Sequence, residues 1–154
     1  MSEIHDRANA IIRNHTGIAM AAAIIPIPVA DIGAITAVEI DMLRALTKIY
    51  GLNWSENLGK QAVGIGAACI IGPGLWGAAV KFIPGLGAII GGAIQMTIAG
   101  SVCFALGKAY QEHLESGGEV IDKTTFTKAL KAHLDEGKKV ANSMKKEVKD
   151  GKYK

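Results

Sequence analysis

The sequence has few of the residues on which disulfide-stabilised and disordered proteins depend. Among its 154 residues are only two cysteines and four prolines, and 20% of the residues are charged. Small disulfide-stabilised domains need several paired cysteines, and disordered chains combine high charge with low hydrophobicity. Both classes are excluded, because 49% of the residues are hydrophobic. The length corresponds to one domain.

Features of exported proteins are also scarce. Cys69 and Cys103 lie within apolar runs, where a free thiol in a reducing compartment behaves as a small buried hydrophobic group. Residues 1–15 are polar and lack the basic region and apolar stretch of a signal peptide. We therefore expect a cytoplasmic location.

Charge is nearly absent from the middle of the chain. Residues 61–107 contain one charged residue, Lys81, and 11 of the 19 glycines. A surface helix keeps one polar face, so a segment that is apolar on all sides is buried in a protein core or in lipid. This segment is therefore the candidate centre of the fold or a membrane-inserted hairpin.

Apolar residues recur at spacings of three and four, and no alternating strand pattern is found. We predict an all-α fold, a compact bundle of five to six helices with a glycine-rich central helical hairpin. Proline at positions 26 and 28 ends the first helix, since proline fixes φ and removes a donor. The expected helices cover residues 3–25, 32–50, 53–72, 75–82 and 86–115, followed by an amphipathic helix after residue 118.

Two polar residues are expected to begin helices. Asp31 follows the Pro-x-Pro turn and would cap the helix of residues 32–50, with a ligand or switch role as the alternative. Asn53 with Glu56 resembles a capping box for the next helix. Around the second helix, we interpret Glu39, Asp41, Arg44 and Lys48 as a solvated face, with Asp41 and Arg44 spaced for a weak local pair.

The helix of residues 86–115 carries a row of small residues. Such a ridge lets another helix approach closely, in membranes or in soluble bundles. The row therefore does not decide between lipid and water. Its candidate close-packing residues are Gly87, Gly91, Ala99, Cys103 and Gly107.

Positive charge is concentrated at the C-terminus, where residues 122–154 carry ten lysines and five acidic residues. This change in composition divides the chain into an apolar helical bundle domain, 1–118, and a lysine-rich amphipathic helix, 119–154. The apolar stripe of this helix is weakest at Gly137 and Ala141.

The lysines of this helix suit an anionic surface. We name four as candidate contacts with anionic lipid; a plain solvated face is the alternative interpretation. Nucleic acid is disfavoured as a partner, because the tail has no arginine and only two aromatic residues for stacking. The four candidates are Lys138, Lys139, Lys145 and Lys146.

Residues for catalysis or cofactor binding are not found together. There is no phosphate-binding GxxxxGK[ST] loop, and the four histidines and two cysteines lack metal-ligand spacing. We predict no catalytic residues, no metal and no cofactor, and therefore a protein that is not an enzyme.

Two blocks of sequence resemble a known family. Residues 21–52, with the Pro26-x-Pro28-x-x-Asp31 turn, and residues 82–114, with the Pro84-Gly85 break, are similar to the YcjF-type domain of unknown function. That domain accompanies bacterial Era-like and dynamin-like GTPases and inner-membrane proteins, and is distantly similar to the helical domain of immunity-related GTPases. The resemblance implies a helical domain without catalytic residues, working beside a GTPase near membranes. Since this chain has no GTPase domain, a GTPase would act in trans.

Two functions stay open. The first is a non-enzymatic, membrane-associated scaffold or interaction module that self-associates as a homo-oligomer or partners a GTPase in trans. The alternative is a membrane-inserting or permeabilising, holin-like hairpin, for which the uncharged residues 62–80 and 82–107 are long enough. Gly72-Pro73-Gly74 would interrupt the first span and leave backbone groups unsatisfied in lipid. Either function places the protein in the cytoplasm, peripheral to or embedded in the cytoplasmic membrane.

Overall fold

The computed structural model describes the backbone of residues 2–23, 28–71, 87–118 and 120–153. It describes the side chains of the same residues except 2, 28–33, 69–71 and 87–95. Within these ranges the chain is helical and contains no strand, which confirms the predicted all-α, compact bundle. The five described helices are α1 (Ser2–Ala22), α2 (Pro28–Ile49), α3 (Glu56–Ile71), α4 (Gly87–Glu115) and α5 (Lys123–Lys149).

Periodicity located α1 and α4 well, since both ends of each helix lie within three residues of the predicted bounds. The predicted short helix of residues 75–82 lies outside the described residues. The Pro84-Gly85 break and the first part of the Pro-x-Pro turn, which begins at Pro26, lie outside them too.

The predicted start of α2 was wrong. The helix begins at Pro28, and Asp31 is its fourth residue instead of the residue that precedes it. Proline is favoured at the first helical position because its missing N–H has no partner there and its φ is already helical. The sequence interpretation treated this proline as a helix breaker only. The side chain of Asp31 lies outside the described residues.

The predicted cap of α3 was also wrong. The helix begins at Glu56, and the Ser55 hydroxyl accepts a hydrogen bond from the backbone N–H of Leu58 at 3.3 Å. Serine three residues before the bonded N–H is a standard N-cap arrangement. Ser55 therefore caps the helix, two residues after Asn53.

The helices pack with α4 at the centre, in contact with all four others. Helices α1 and α4 are antiparallel, because His5 lies beside Glu115 at one end and Gly100 lies beside Met20 at the other. Helix α5 packs on α4, α1 and α3. The other described helices thus bury much of residues 96–115 of α4.

The main core is formed by α1 to α5 together. Phe126 and Leu130 of α5 belong to the same cluster of buried side chains as Ile12, Leu46 and Leu106. A second cluster joins the end of α1 to the C-terminal half of α5. Its buried members are Met20, Met96, Ala141, Met144, Val148 and Tyr153. The lysine-rich helix therefore contributes to both clusters.

Candidate functional site

Helix α5 has an apolar side and a lysine-rich side. It begins at a capped end, where the Asp122 carboxylate accepts a hydrogen bond from the backbone N–H of Thr125 at 3.2 Å. One side is buried against the bundle, and the remaining residues include most of the lysines. The buried residues are Phe126, Leu130, Gly137, Ala141, Met144 and Val148.

The four candidate lipid-contacting lysines lie on the solvent side of α5. Lys138, Lys139 and Lys146 are exposed, and Lys145 is half-buried. Among the described residues, no ion pair involves a lysine of α5. The carboxylate of Glu147 is instead bound by Arg13 of α1 at 3.7 Å and by Lys152 at 3.6 Å. The lysines therefore present positive charge that no described carboxylate neutralises.

Two glycines bring α4 and α5 into close contact. A Cβ atom at Gly137 would lie 2.5 Å from the backbone oxygen of Ser101, and one at Gly100 would lie 2.8 Å from the Cβ of Ala141. Such separations are shorter than van der Waals contact, so the two backbones approach as closely as glycine allows. Gly137 and Ala141, which look like weak positions in the apolar stripe, are the crossing point.

The predicted small-residue row of α4 has mixed surroundings. Ala99 and Cys103 are buried, and a Cβ at Gly107 would lie 2.8 Å from Ile12 of α1. Gly87 and Gly91 lie within α4, but their surroundings are outside the described residues. At Gly107, the row allows close approach of α1.

Glu39 contradicts the predicted solvated face of α2. Only 7% of the residue is exposed, and burial raises the pKa of its carboxyl from 4.5 to about 8. Its neighbour is Cys103, which is fully buried and whose pKa is raised by burial and by Glu39. No hydrogen bond or ion pair joins Glu39 to another described residue. The buried carboxyl is therefore protonated at neutral pH.

Other charges of α2 join neighbouring elements. Asp41 contacts Nε2 of His15 at 2.9 Å, and Nδ1 of His15 donates to the backbone oxygen of Ile11 at 2.8 Å. Arg44 donates to Glu56 at 2.9 Å and lies over the Trp54 ring. The expected local pair of Asp41 with Arg44 is thus replaced by contacts between elements, because tertiary partners lie closer.

Side chains that could hold a metal ion lie apart from one another in the described part of the chain. Among the described residues, no three His, Cys, Asp or Glu side chains are placed to share a metal ion. A cleft of about 360 Å³ lies between the end of α4 and the start of α5. Beside it, burial lowers the pKa of His113, whose Nε2 has no hydrogen-bond partner among the described residues. The cleft lining also includes the Thr125 hydroxyl, which donates to the Asp122 carboxylate that caps α5.

A helix that crosses a bilayer must be both long and strongly apolar. None of the helices, over the residues described, meets both requirements. Residues 72–86, in the middle of the predicted hairpin, lie outside the described residues.

A family model named "Domain of unknown function (DUF697)" matches residues 1–139. The chain belongs to this family. The match covers α1 to α4 and α5 as far as residue 139, so it includes Gly137 of the crossing point. The sequence analysis predicted a resemblance to a domain of unknown function, and that part of the prediction is confirmed.

One curated relative of this DUF697 chain is Magnetosome membrane protein 22 of Magnetospirillum gryphiswaldense. The two sequences are 32% identical over 145 residues, which is 90% of this chain and 74% of the relative. No solved structure gives a significant match. Neither the family description nor the name of the relative refers to catalysis.

Several residues of the surface and core were not found by sequence analysis. Gly100 lies one position outside the predicted small-residue row, and Glu39 was grouped with exposed charges. A signal existed for Glu39, since it lies three residues before Met42 and seven before Leu46, on one helix face. Gly100 and Gly137 carry no such signal, because a crossing point depends on both helices at once.

Proposed function

We propose that this protein is a non-enzymatic helical module that associates with an anionic membrane surface through the lysine face of α5. The observation that carries the proposal is that Lys138, Lys139, Lys145 and Lys146 have no ion-pair partner among the described residues, although α5 also contains acidic residues. The membrane protein name of the 32% identical relative supports it. The surface involved is that of the cytoplasmic membrane.

The strength of this association follows from electrostatics. Each lysine near an anionic bilayer contributes about 1 kcal/mol, and the attraction decreases beyond the Debye length. Lysines on one folded helix thus give binding of useful strength only when several of them reach the surface together. Because the attraction is electrostatic, salt weakens the binding.

Vesicle flotation tests this proposal. The full chain is expected to float with phosphatidylcholine vesicles that contain phosphatidylglycerol, to stay unbound with phosphatidylcholine alone, and to be released by high salt. Absence of binding to the anionic vesicles would overturn the proposal. Release of a trapped dye by the bound protein would favour the holin-like, permeabilising alternative instead.

Partners are a second part of the proposal. We propose that the module self-associates at the membrane or acts with a GTPase in trans, on the strength of the sequence resemblance to GTPase-linked domains. Sizing of the purified chain and measurement of GTP hydrolysis in material that co-purifies with it separate these two partners.

A further inference from the structure

Helix α4 crosses α5, and it contacts opposite sides of α5 before and after the crossing point. On the N-terminal side of the crossing point at Gly137 and Ala141, His133 of α5 contacts Glu112 of α4 at 2.6 Å. After it, Asn142 accepts a hydrogen bond from Thr97 of α4 at 3.4 Å. His133 and Asn142 are separated by ~2.5 helical turns and so lie on opposite sides of α5. The N-terminal part of α4 therefore emerges on the Asn142 side.

The Asn142 side of α5 carries lysines. Residues 138, 142, 145 and 149 follow one another at spacings of four, three and four, which places them on one helix face. Three of the four are lysines, here called the inner stripe: Lys138, Lys145 and Lys149. The half-buried state of Lys145 indicates that its aliphatic stem lies along the protein while its amino group reaches solvent.

An uncharged helix continues from the same place. Met96 is buried, and α4 continues from it toward the N-terminus as residues 87–95, with the sequence GAIIGGAIQ and no charged residue. Uncharged helix beside a stripe of lysines is the combination that binds an anionic bilayer, since the apolar part enters the interface and the lysines meet the headgroups.

We propose that the surface formed by the inner stripe and the start of α4 is the part of the protein that faces an anionic phospholipid bilayer. This inference rests on the proposed membrane function and specifies its geometry. Three further exposed lysines of α5 are here called the outer stripe: Lys128, Lys139 and Lys146. They lie ~80° further around the helix and point away from the start of α4.

The two stripes provide a matched test. The triple variant K138Q/K145Q/K149Q removes the same charge as K128Q/K139Q/K146Q, so nonspecific attraction falls equally in both. With phosphatidylcholine vesicles containing phosphatidylglycerol, we expect the inner-stripe variant to need at least about tenfold more lipid for half-maximal binding. The outer-stripe variant is expected to change by less than about threefold. Circular dichroism checks that both variants remain helical.

Lysine footprinting of the unmodified protein gives a second measurement that does not depend on variant folding. Vesicles should protect Lys138, Lys145 and Lys149 from an amine-acetylating reagent more than Lys128, Lys139 and Lys146. Equal loss of binding in both variants, or equal protection of both stripes, would overturn this geometry while leaving membrane association intact. An unmodified chain that does not bind anionic vesicles would overturn the proposed function itself.

Discussion

At the scale of single residues, Glu39 is a carboxyl group in an environment that disfavours its charged form. Below pH 4.5 the carboxyl is protonated in both the folded and the unfolded chain. Between pH 4.5 and about 8, the unfolded chain loses this proton while the folded chain keeps it. The unfolded state thus binds fewer protons, so the free energy of unfolding decreases as pH rises through this window.

Replacing Glu39 by Gln should remove this pH dependence. We expect Glu39→Gln to be more stable than the unmodified chain at pH 7 by roughly 2–4 kcal/mol, with little difference at pH 4.5. Urea unfolding followed by circular dichroism between pH 4.5 and 8.5 measures the effect. Glu3→Gln in α1 is the control, since Glu3 is exposed. A Glu39→Gln curve parallel to that of the unmodified chain would show that Glu39 is ionised in the folded state.

At the scale of helices, the crossing of α4 and α5 depends on the absence of side-chain atoms. The backbone oxygen of Ser101 occupies the space into which a side chain at residue 137 would project. A backbone atom cannot rotate away as a side chain can, so a larger residue must separate the helices. The same crossing positions both lysine stripes relative to α4.

Gly137→Ala should therefore destabilise the protein by roughly 1–3 kcal/mol, although alanine favours a helix more than glycine does. Gly64→Ala in α3 is the matched control, since a Cβ there would have no atom within 4 Å. That substitution should stabilise the protein by about 0.4–1 kcal/mol. Thermal unfolding of both variants gives the comparison. Equal effects of the two substitutions would mean that α4 and α5 do not approach closely at Gly137.

At the scale of the whole molecule, the described core connects the apolar bundle to the lysine-rich helix. Leu130 lies in one cluster with Leu106 of α4, and Met144 lies in the other with Met20 of α1. The family match likewise extends to residue 139, beyond the composition change near residue 118. We therefore expect residues 1–118 to depend on α5 for stability.

A chain that ends at residue 118 should lose its cooperative thermal transition and expose apolar surface, measured by calorimetry and by binding of a hydrophobic dye. The control is the full chain cut by a protease site placed in the connection between α4 and α5, which keeps α5 present. A cooperative transition in residues 1–118 alone would establish the apolar bundle as an independent domain.

Much of the fold follows from the sequence because helix formation here is local. Spacings of three and four residues located α1 and α4, and the missing charge of residues 61–107 indicated burial in a protein core or in lipid. Local patterns did not locate the starts of α2 and α3. In each case two residues a few positions apart, Pro28 and Asp31 or Asn53 and Ser55, can begin a helix, and the difference in energy is small.

The sequence by itself determined that the protein is helical, that its centre is apolar and that its C-terminal helix is rich in lysine. Only the tertiary structure decided that Glu39 is buried, that Gly137 meets Ser101 and that Lys138, Lys145 and Lys149 lie on the side where α4 emerges. The physical reason is that helical periodicity places residues on the faces of their own helix. Which face meets which partner depends on packing between helices that are distant in the chain.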